Sequence, residues 1–134
     1  MSKYSVRKVK TFRGREGHGF NAELLCDNIP VAFVMDEANG GTYHYEWYDL
    51  KSPRIPVEVV EYGRSRTLQC TPEEAKLRAA INGKTYTCEI NNQVYDVGID
   101  MFVGMLVDEW ETVKKAKRAE RASRRNASLQ GASI

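Results

Sequence analysis

Hydrophobic and polar residues alternate along the first half of the chain, and this pattern predicts β-strands. From Phe20 to Cys26 every second residue is apolar, which is typical of a strand with one buried face. Lys3–Phe12 mixes β-formers with basic residues, and its alternation slips between Val6 and Val9, which indicates a β-bulge. The first half therefore predicts antiparallel β structure.

Further strands are predicted by an apolar run and by turn residues. Val31–Met35 is apolar at every position, which favours a central strand covered on both faces. The three glycines in Arg13–Gly19 predict a loop, and Asn39-Gly40-Gly41 is a strong hairpin signal. Aromatic residues then alternate with polar ones as far as Tyr48, and Val57–Tyr62 predicts a fifth strand.

The second half contains two predicted helices. Thr71 is a suitable N-cap, Pro72 suits the first helical position and Glu74 can close a capping box, so a helix should run to about Ile81. Short strands are predicted for residues 84–90 and 94–97, and a long final helix for the segment beginning near Asp100, which we expect as its N-cap. The apolar stripe of this helix follows a 4-3-4-3 spacing through Ile99, Val103, Leu106, Trp110 and Val113.

These elements predict an α+β fold in which a long C-terminal helix and a shorter helix cover an antiparallel sheet of about four to six strands. Residues 1–122 are predicted to form one domain and residues 123–134 a flexible tail. The stripe of the final helix could also form the seam of a homodimer, but it spans only two heptads, so packing against the sheet is the favoured interpretation.

Composition indicates a globular chain of the cytoplasm. The three cysteines, Cys26, Cys70 and Cys88, are too few and too widely spaced for a disulfide scaffold. Neither a signal peptide nor an apolar segment long enough to cross a membrane follows the basic N-terminus. We therefore expect no membrane association and no cofactor.

Charge is distributed unevenly along the chain. The net charge is only +2, but residues 1–15 carry +6, residues 114–125 carry +6 and residues 16–113 carry −10. An acidic body flanked by two basic segments affects the choice of partners more than it affects the fold.

The acidic body suggests a surface for a basic partner. The predicted central hairpin carries five polar residues that could form it, with carboxylates that imitate phosphates towards a groove lined by Arg or Lys. These residues are Asp36, Glu37, His44, Glu46 and Asp49.

The sequence leaves two alternative functions open. The basic segments could contact nucleic acid through phosphates, using Lys3, Arg7, Lys8, Lys10 and Arg13 on the first strand and Lys114, Lys115, Lys117, Arg118 and Arg121 on the last helix. His44 with its neighbouring carboxylates could instead serve a small metal-dependent enzyme, although two histidines in the whole chain make a zinc hydrolase a poor fit.

Several motifs resemble those of small uncharacterised accessory proteins of bacteriophages and prophages. In Phe12–Trp47 these are F-x-G-x-x-G-x-G-F, D-x-x-x-G-G and Y-x-W, and in Asp100–Glu109 the motif is D-x-F-V-x-x-L-V-D-E. The resemblance implies a phage accessory protein that binds and inhibits a host protein or a protein–nucleic acid complex, as an anti-CRISPR protein does, without catalysis of its own. It implies no catalytic residue.

Overall fold

A computed structural model describes residues 2–15, 17–61 and 63–132 of the chain. The strands are β1 (Tyr4–Gly14), β2 (Gly17–Cys26), β3 (Ile29–Asp36), β4 (His44–Trp47), β5 (Ile55–Glu61), β6 (Arg64–Cys70), β7 (Thr85–Thr87) and β8 (Val94–Asp96). The helices are α1 (Pro72–Ile81), which follows β6, and α2 (Ile99–Ala132), which follows β8. The predicted α+β class is confirmed.

The main sheet is antiparallel, with its four strands in the order β1-β2-β3-β4. The predicted bulge in β1 is confirmed, because the β1–β2 register shifts between Arg7 and Lys10 and Lys8 has a φ of 54°. The bulge keeps Val6 and Val9 in the core, although they are three positions apart.

One face of this sheet forms the core beneath both helices. Ala22, Leu24, Ala32 and Val34 are buried in the middle of this face, and Trp47 closes it at β4. On the opposite face of β3, Phe33 and Met35 are only half-buried, so the prediction that β3 is covered on both faces is wrong. Within the described residues, the helices cover one face of the four-stranded sheet.

The glycine-rich segment is a tight hairpin rather than the predicted loop, because β1 continues to Gly14 and β2 begins at Gly17. A Cβ on Gly14 would lie 2.4 Å from the Cβ of Ala38, and one on Gly19 would lie 2.2 Å from the carbonyl oxygen of Asp36. The two glycines therefore allow the chain after β3 to pack directly on this hairpin.

Two small hairpins complete the β structure. The predicted fifth strand is present as β5, and it pairs with β6, which the sequence did not predict. The predicted short strands are present as β7 and β8 and pair with each other. Each hairpin forms a two-stranded sheet that is separate from the main one.

Helix α1 starts as predicted, but only half of its capping box forms. The Thr71 hydroxyl accepts a hydrogen bond from the Glu74 amide at 3.2 Å. The Glu74 carboxylate does not return to Thr71, because it accepts bonds from Arg78 Nε at 3.0 Å and from the Cys70 thiol at 3.1 Å. The helix places Leu77 and Ile81 in the main core.

Helix α2 begins at Ile99, one residue before the predicted N-cap. Asp100 lies in its first turn and bonds to β4, because its Oδ2 accepts from the Tyr43 amide at 3.0 Å and its Oδ1 accepts from the Tyr45 hydroxyl at 2.6 Å. Asp100 therefore fixes the start of α2 on the sheet.

The buried side of α2 consists of Val103 and Val107, with Trp110 half-buried one turn later. Val113 is half-exposed, so the apolar contact ends one turn earlier than the sequence indicated. The predicted tail, 123–134, is helical as far as Ala132, and its flexibility stays a prediction. Within the described chain, no helix is long and apolar enough to cross a membrane.

Candidate functional site

The five polar residues of the predicted acidic surface divide into two groups. Asp36 and Asp49 maintain the fold, because Asp36 accepts a bond from the Ala38 amide at 3.0 Å and Asp49 accepts one from the Glu73 amide at 2.9 Å, in the first turn of α1. The other three, Glu37, His44 and Glu46, are exposed to solvent. Glu37 accepts one exposed bond, from the Asn39 side-chain amide at 3.2 Å, so these three residues can meet a partner without loss of a bond between separate elements of the fold.

His44 and Glu46 lie on the outer face of β4, directly beside β3. His44 pairs with Met35 and Glu46 pairs with Phe33, and the imidazole Nε2 lies 3.8 Å from the Glu46 carboxylate. On this outer face, two exposed polar side chains therefore lie directly beside two half-buried apolar ones.

An ion pair occupies the middle of the same outer face. Arg7 contacts Glu23 across β1 and β2, and the Tyr48 hydroxyl donates to the other Glu23 oxygen at 3.0 Å. The Arg7 guanidinium, with this hydroxyl, lowers the pKa of Glu23 below its usual value. Arg7 is therefore already neutralised within the protein.

The basic residues of β1 do not form one patch. Lys3 lies just before one end of β1, where its backbone amide donates to Asp27. Arg13 lies at the other end, opposite His18 in the β1–β2 register. Lys8 is in the bulge, and Lys10 follows it opposite Asn21. The bases of α2 lie together on its solvent-exposed second half: Lys114, Lys115, Lys117, Arg118 and Arg121.

In the part of the chain that the structure describes, no metal-binding set of side chains comes together. Among the described residues, no three side chains of His, Cys, Asp or Glu lie close enough to hold an ion. Cys26 and Cys70 are buried, whereas Cys88 is half-exposed. Burial and the neighbouring Glu74 carboxylate raise the pKa of the Cys70 thiol to about 11, so it is protonated at neutral pH.

A small acidic cavity of about 240 Å³ lies between α2 and the β1–β2 hairpin. Its walls include Asp36, Tyr43, Asp108 and Glu111, with His18 at the hairpin. Burial and the carboxylates of Asp36, Asp100 and Asp108 raise the pKa of Tyr43. These residues come from four separate segments of the chain, so no local sequence pattern connects them.

The larger concave feature is a groove of about 1100 Å³ between the two small hairpins. One wall is β5, from Ile55 to Val60, and the other is formed by residues 95–101 at the end of β8 and the start of α2. The floor is α1, including Ala75, Ala79 and Ile81. We refer to this feature as the hairpin groove.

The edge of β5, not one of its faces, forms the wall of the hairpin groove. Six successive residues of β5 line it, whereas a strand face would present only every second residue. Within the described structure, β5 pairs only with β6, so its other edge carries no strand.

The register of the hairpin identifies the backbone groups on this free edge. Glu61 lies opposite Arg64 and closes the turn, so Glu61, Val59 and Val57 direct their N–H and C=O groups to β6. The intervening residues Glu58 and Val60 direct theirs into the groove. Pro56 is the third residue of this set, and it has no N–H to direct into the groove. An edge position that faces away from the partner strand is one that proline tolerates.

The two edges of the four-stranded sheet, by comparison, are protected by the usual means. The edge strand β1 is bulged and carries Lys8 and Lys10, while β4 has only four residues and its neighbouring amide, Tyr43, is bonded to Asp100. In contrast, β5 is an apolar edge with Ile55 41% and Val60 69% exposed. The β5 edge is thus the candidate docking strand.

The sequence predicted the strand but not the groove. The apolar run of β5 was visible from its β-branched residues, while β6 has a polar sequence and the opposite wall comes from residues 95–101. Comparisons of the chain with protein-family models, with curated proteins and with solved structures gave no match.

Proposed function

We propose that the protein is a non-enzymatic binding module that captures an extended segment of a partner protein along β5. The observation that carries this proposal is the unpaired apolar edge of β5 inside the hairpin groove. A peptide added to such an edge gains main-chain hydrogen bonds, while pockets for alternate side chains give specificity. The added strand would also extend a two-stranded hairpin, which is marginally stable by itself.

Charges around the hairpin groove favour a partner segment with a basic residue. Glu58 and Asp96 are exposed in its walls and have no ion-pair partner among the described residues. The bases of the groove are occupied, because Arg78 lies 3.0 Å from Glu74 and the Lys84 ammonium lies 5.4 Å from the centre of the Phe102 ring. We therefore expect a segment with apolar residues at alternate positions and at least one Lys or Arg.

The partner to test first is a host protein. The motifs of Phe12–Trp47 and Asp100–Glu109 resemble those of phage accessory proteins, and an accessory protein of that class acts by occupying a working surface of a host enzyme or defence complex. Binding through an added strand would block such a surface without catalysis. The predicted acidic surface, reduced to Glu37, His44 and Glu46, is the alternative contact.

Selection from a displayed library of random peptides tests the proposal without a known partner. The expected result is enrichment of sequences with alternating β-branched or aromatic residues and a basic residue. Val60→Pro removes one amide from the free edge and keeps the β6 ladder, so it should weaken binding of a selected peptide about fivefold, the equivalent of about 1 kcal/mol.

Val60→Thr is the matched control because it changes the same side chain but keeps the amide. It should bind the peptide within about twofold of the wild type. The proposal is wrong if selected peptides bind the proline and threonine variants equally, or if charge reversal at Glu37 and Glu46 abolishes binding instead. Melting temperatures of both variants show whether the fold is retained.

A further inference from the structure

In the second half of α2, a row of basic residues lies in the same helical direction as the buried face of the first half. Val103 and Val107 pack on the core, and Trp110 lies half-buried one turn on. At 3.6 residues per turn, the next positions in this direction are 114, 118, 121 and 125, all within about 40° of Val107. The residues there are Lys114, Arg118, Arg121 and Arg125, which we refer to as the basic stripe.

The basic stripe lies beyond the part of α2 that packs on the core. Every described side chain from Thr112 to Ala127 is exposed. The helix is 34 residues long, about 51 Å, and its last contact with the core lies near Trp110. This half of α2 therefore projects from the domain as a free helix.

Such a helix is electrostatically unfavourable by itself. Like charges three or four residues apart on a helix destabilise it, and the stripe contains three successive pairs of this kind. The ion pair between Glu120 and Arg124 is the one opposite-charge contact found there among the described residues. A polyanion that contacted the stripe would relieve this repulsion.

We infer that the basic stripe is a docking surface for duplex nucleic acid, which it contacts through phosphates. The stripe places four positive charges along about 16 Å of helix, and the major groove of a duplex admits an α-helix. No aromatic residue occurs between Glu111 and Ile134, so stacking on unpaired bases has no platform there. Such side chains would contact phosphates and read no bases, so binding should be independent of the nucleic-acid sequence.

The tip of the β1–β2 hairpin lies at the end of the domain from which α2 projects, and this position supports nucleic-acid binding by the basic stripe. The cavity walls bring His18 of the β1–β2 hairpin next to Asp108 and Glu111 of α2, one turn before the stripe begins. Arg13 and Arg15 belong to this hairpin tip. Of the predicted basic residues, Arg13 is therefore at the end where α2 projects, whereas Lys3 is at the far end of β1.

Titration of a fluorescent duplex of mixed sequence at several salt concentrations tests the inference. Contact with four phosphates predicts that log K falls with log salt with a slope of about −3.6. The triple variant R118A/R121A/R125A should reduce this slope to about −0.9, because a single phosphate contact remains. It retains Lys114, whose ammonium lies 4.6 Å from the centre of the Trp110 ring.

The matched control is K115A/K117A/R124A, which removes the same charge from positions about 80–100° away from Val107. It should keep the slope of the wild type, and circular dichroism should show helix content rising on addition of duplex only where the stripe is intact. Equal losses in both triple variants, a flat salt response, or equally tight binding of polyglutamate would overturn the inference, the last by indicating an acidic protein partner. Failure here leaves the β5 proposal untouched, because that test uses peptides and a different surface.

Discussion

Replacement of Asp100 by alanine tests how α2 is attached to the sheet. The carboxylate joins the first turn of α2 to β4 through two bonds, from the Tyr43 amide and from the Tyr45 hydroxyl. Both the carboxylate and the Tyr45 ring are half-buried, so water can replace these bonds only in part. The variant should therefore be folded but clearly less stable.

The expected loss can be worked out from these contacts. A hydrogen bond to a charged group contributes about 1.5–3 kcal/mol, and partial burial favours the lower end for each of the two bonds. An acid in the first turn also interacts with the helix dipole, which adds about 0.3–1 kcal/mol. The sum is about 3–4 kcal/mol, or a fall in melting temperature of about 12 °C for a domain of this size.

Thermal and urea unfolding followed by circular dichroism measure this loss. Tyr45→Phe should lose about half as much, and the double variant should show a coupling energy of about 1.5 kcal/mol, because the same bond is removed twice. Asp108→Ala is the control, since this residue is an exposed acid on the same helix, and it should change stability by less than about 0.5 kcal/mol. A loss for Asp100→Ala no larger than that of the control would refute the attachment.

Three further predictions concern the remaining polar contacts. Asp49→Ala should destabilise the protein by about 1 kcal/mol in urea unfolding, because it removes a distant cap from the Glu73 amide; an unchanged midpoint would contradict this. Since the pKa of Glu23 is lowered in the folded state, its stabilisation is present above its ordinary pKa of about 4.5 and is lost as the pH falls through its lower folded pKa; Glu23→Gln should flatten the decline in stability below about pH 4.5, and an identical decline would argue against the Arg7 pair. A limiting amount of a thiol reagent at neutral pH should label Cys88 before buried Cys70, as peptide mass spectrometry can show; equal labelling would mean that the core is open.

Features that depend on neighbouring residues could be predicted from the sequence. The bulge in β1 follows from a slip in alternation between Val6 and Val9, and the start of α1 follows from Thr71 and Pro72. In both places the physical cause lies within a few residues. The α+β class follows from the same local patterns combined with the need to cover one sheet face.

Features that depend on residues distant in sequence could not be predicted in this way. Asp100 was expected to cap its own helix, but its oxygens bond to β4, more than fifty positions away. Asp49 was expected on a binding surface, but it bonds to α1. A local pattern cannot tell an exposed carboxylate from one that a distant amide approaches.

The hairpin groove illustrates the same limit at the level of the candidate site. Its β5 wall is visible as an apolar run, but whether such a strand lies at an edge depends on its neighbours in the sheet. The basic stripe, in contrast, is visible in the sequence itself, because positions 103, 107, 114, 118, 121 and 125 share one helical direction. Charge alone does not separate the bases that continue the buried face from those that do not, but their helical direction does.

Amide hydrogen exchange by NMR, with and without a selected peptide, tests the central proposal most directly. In the free protein, the amides of Glu58 and Val60 should exchange fast, while those of Val57 and Val59 are protected by their bonds to β6. If the peptide adds a strand to β5, Glu58 and Val60 become protected and the alternation disappears. Protection that appears around Glu37 and Glu46 instead, with Glu58 and Val60 still exchanging fast, would contradict capture by the β5 edge.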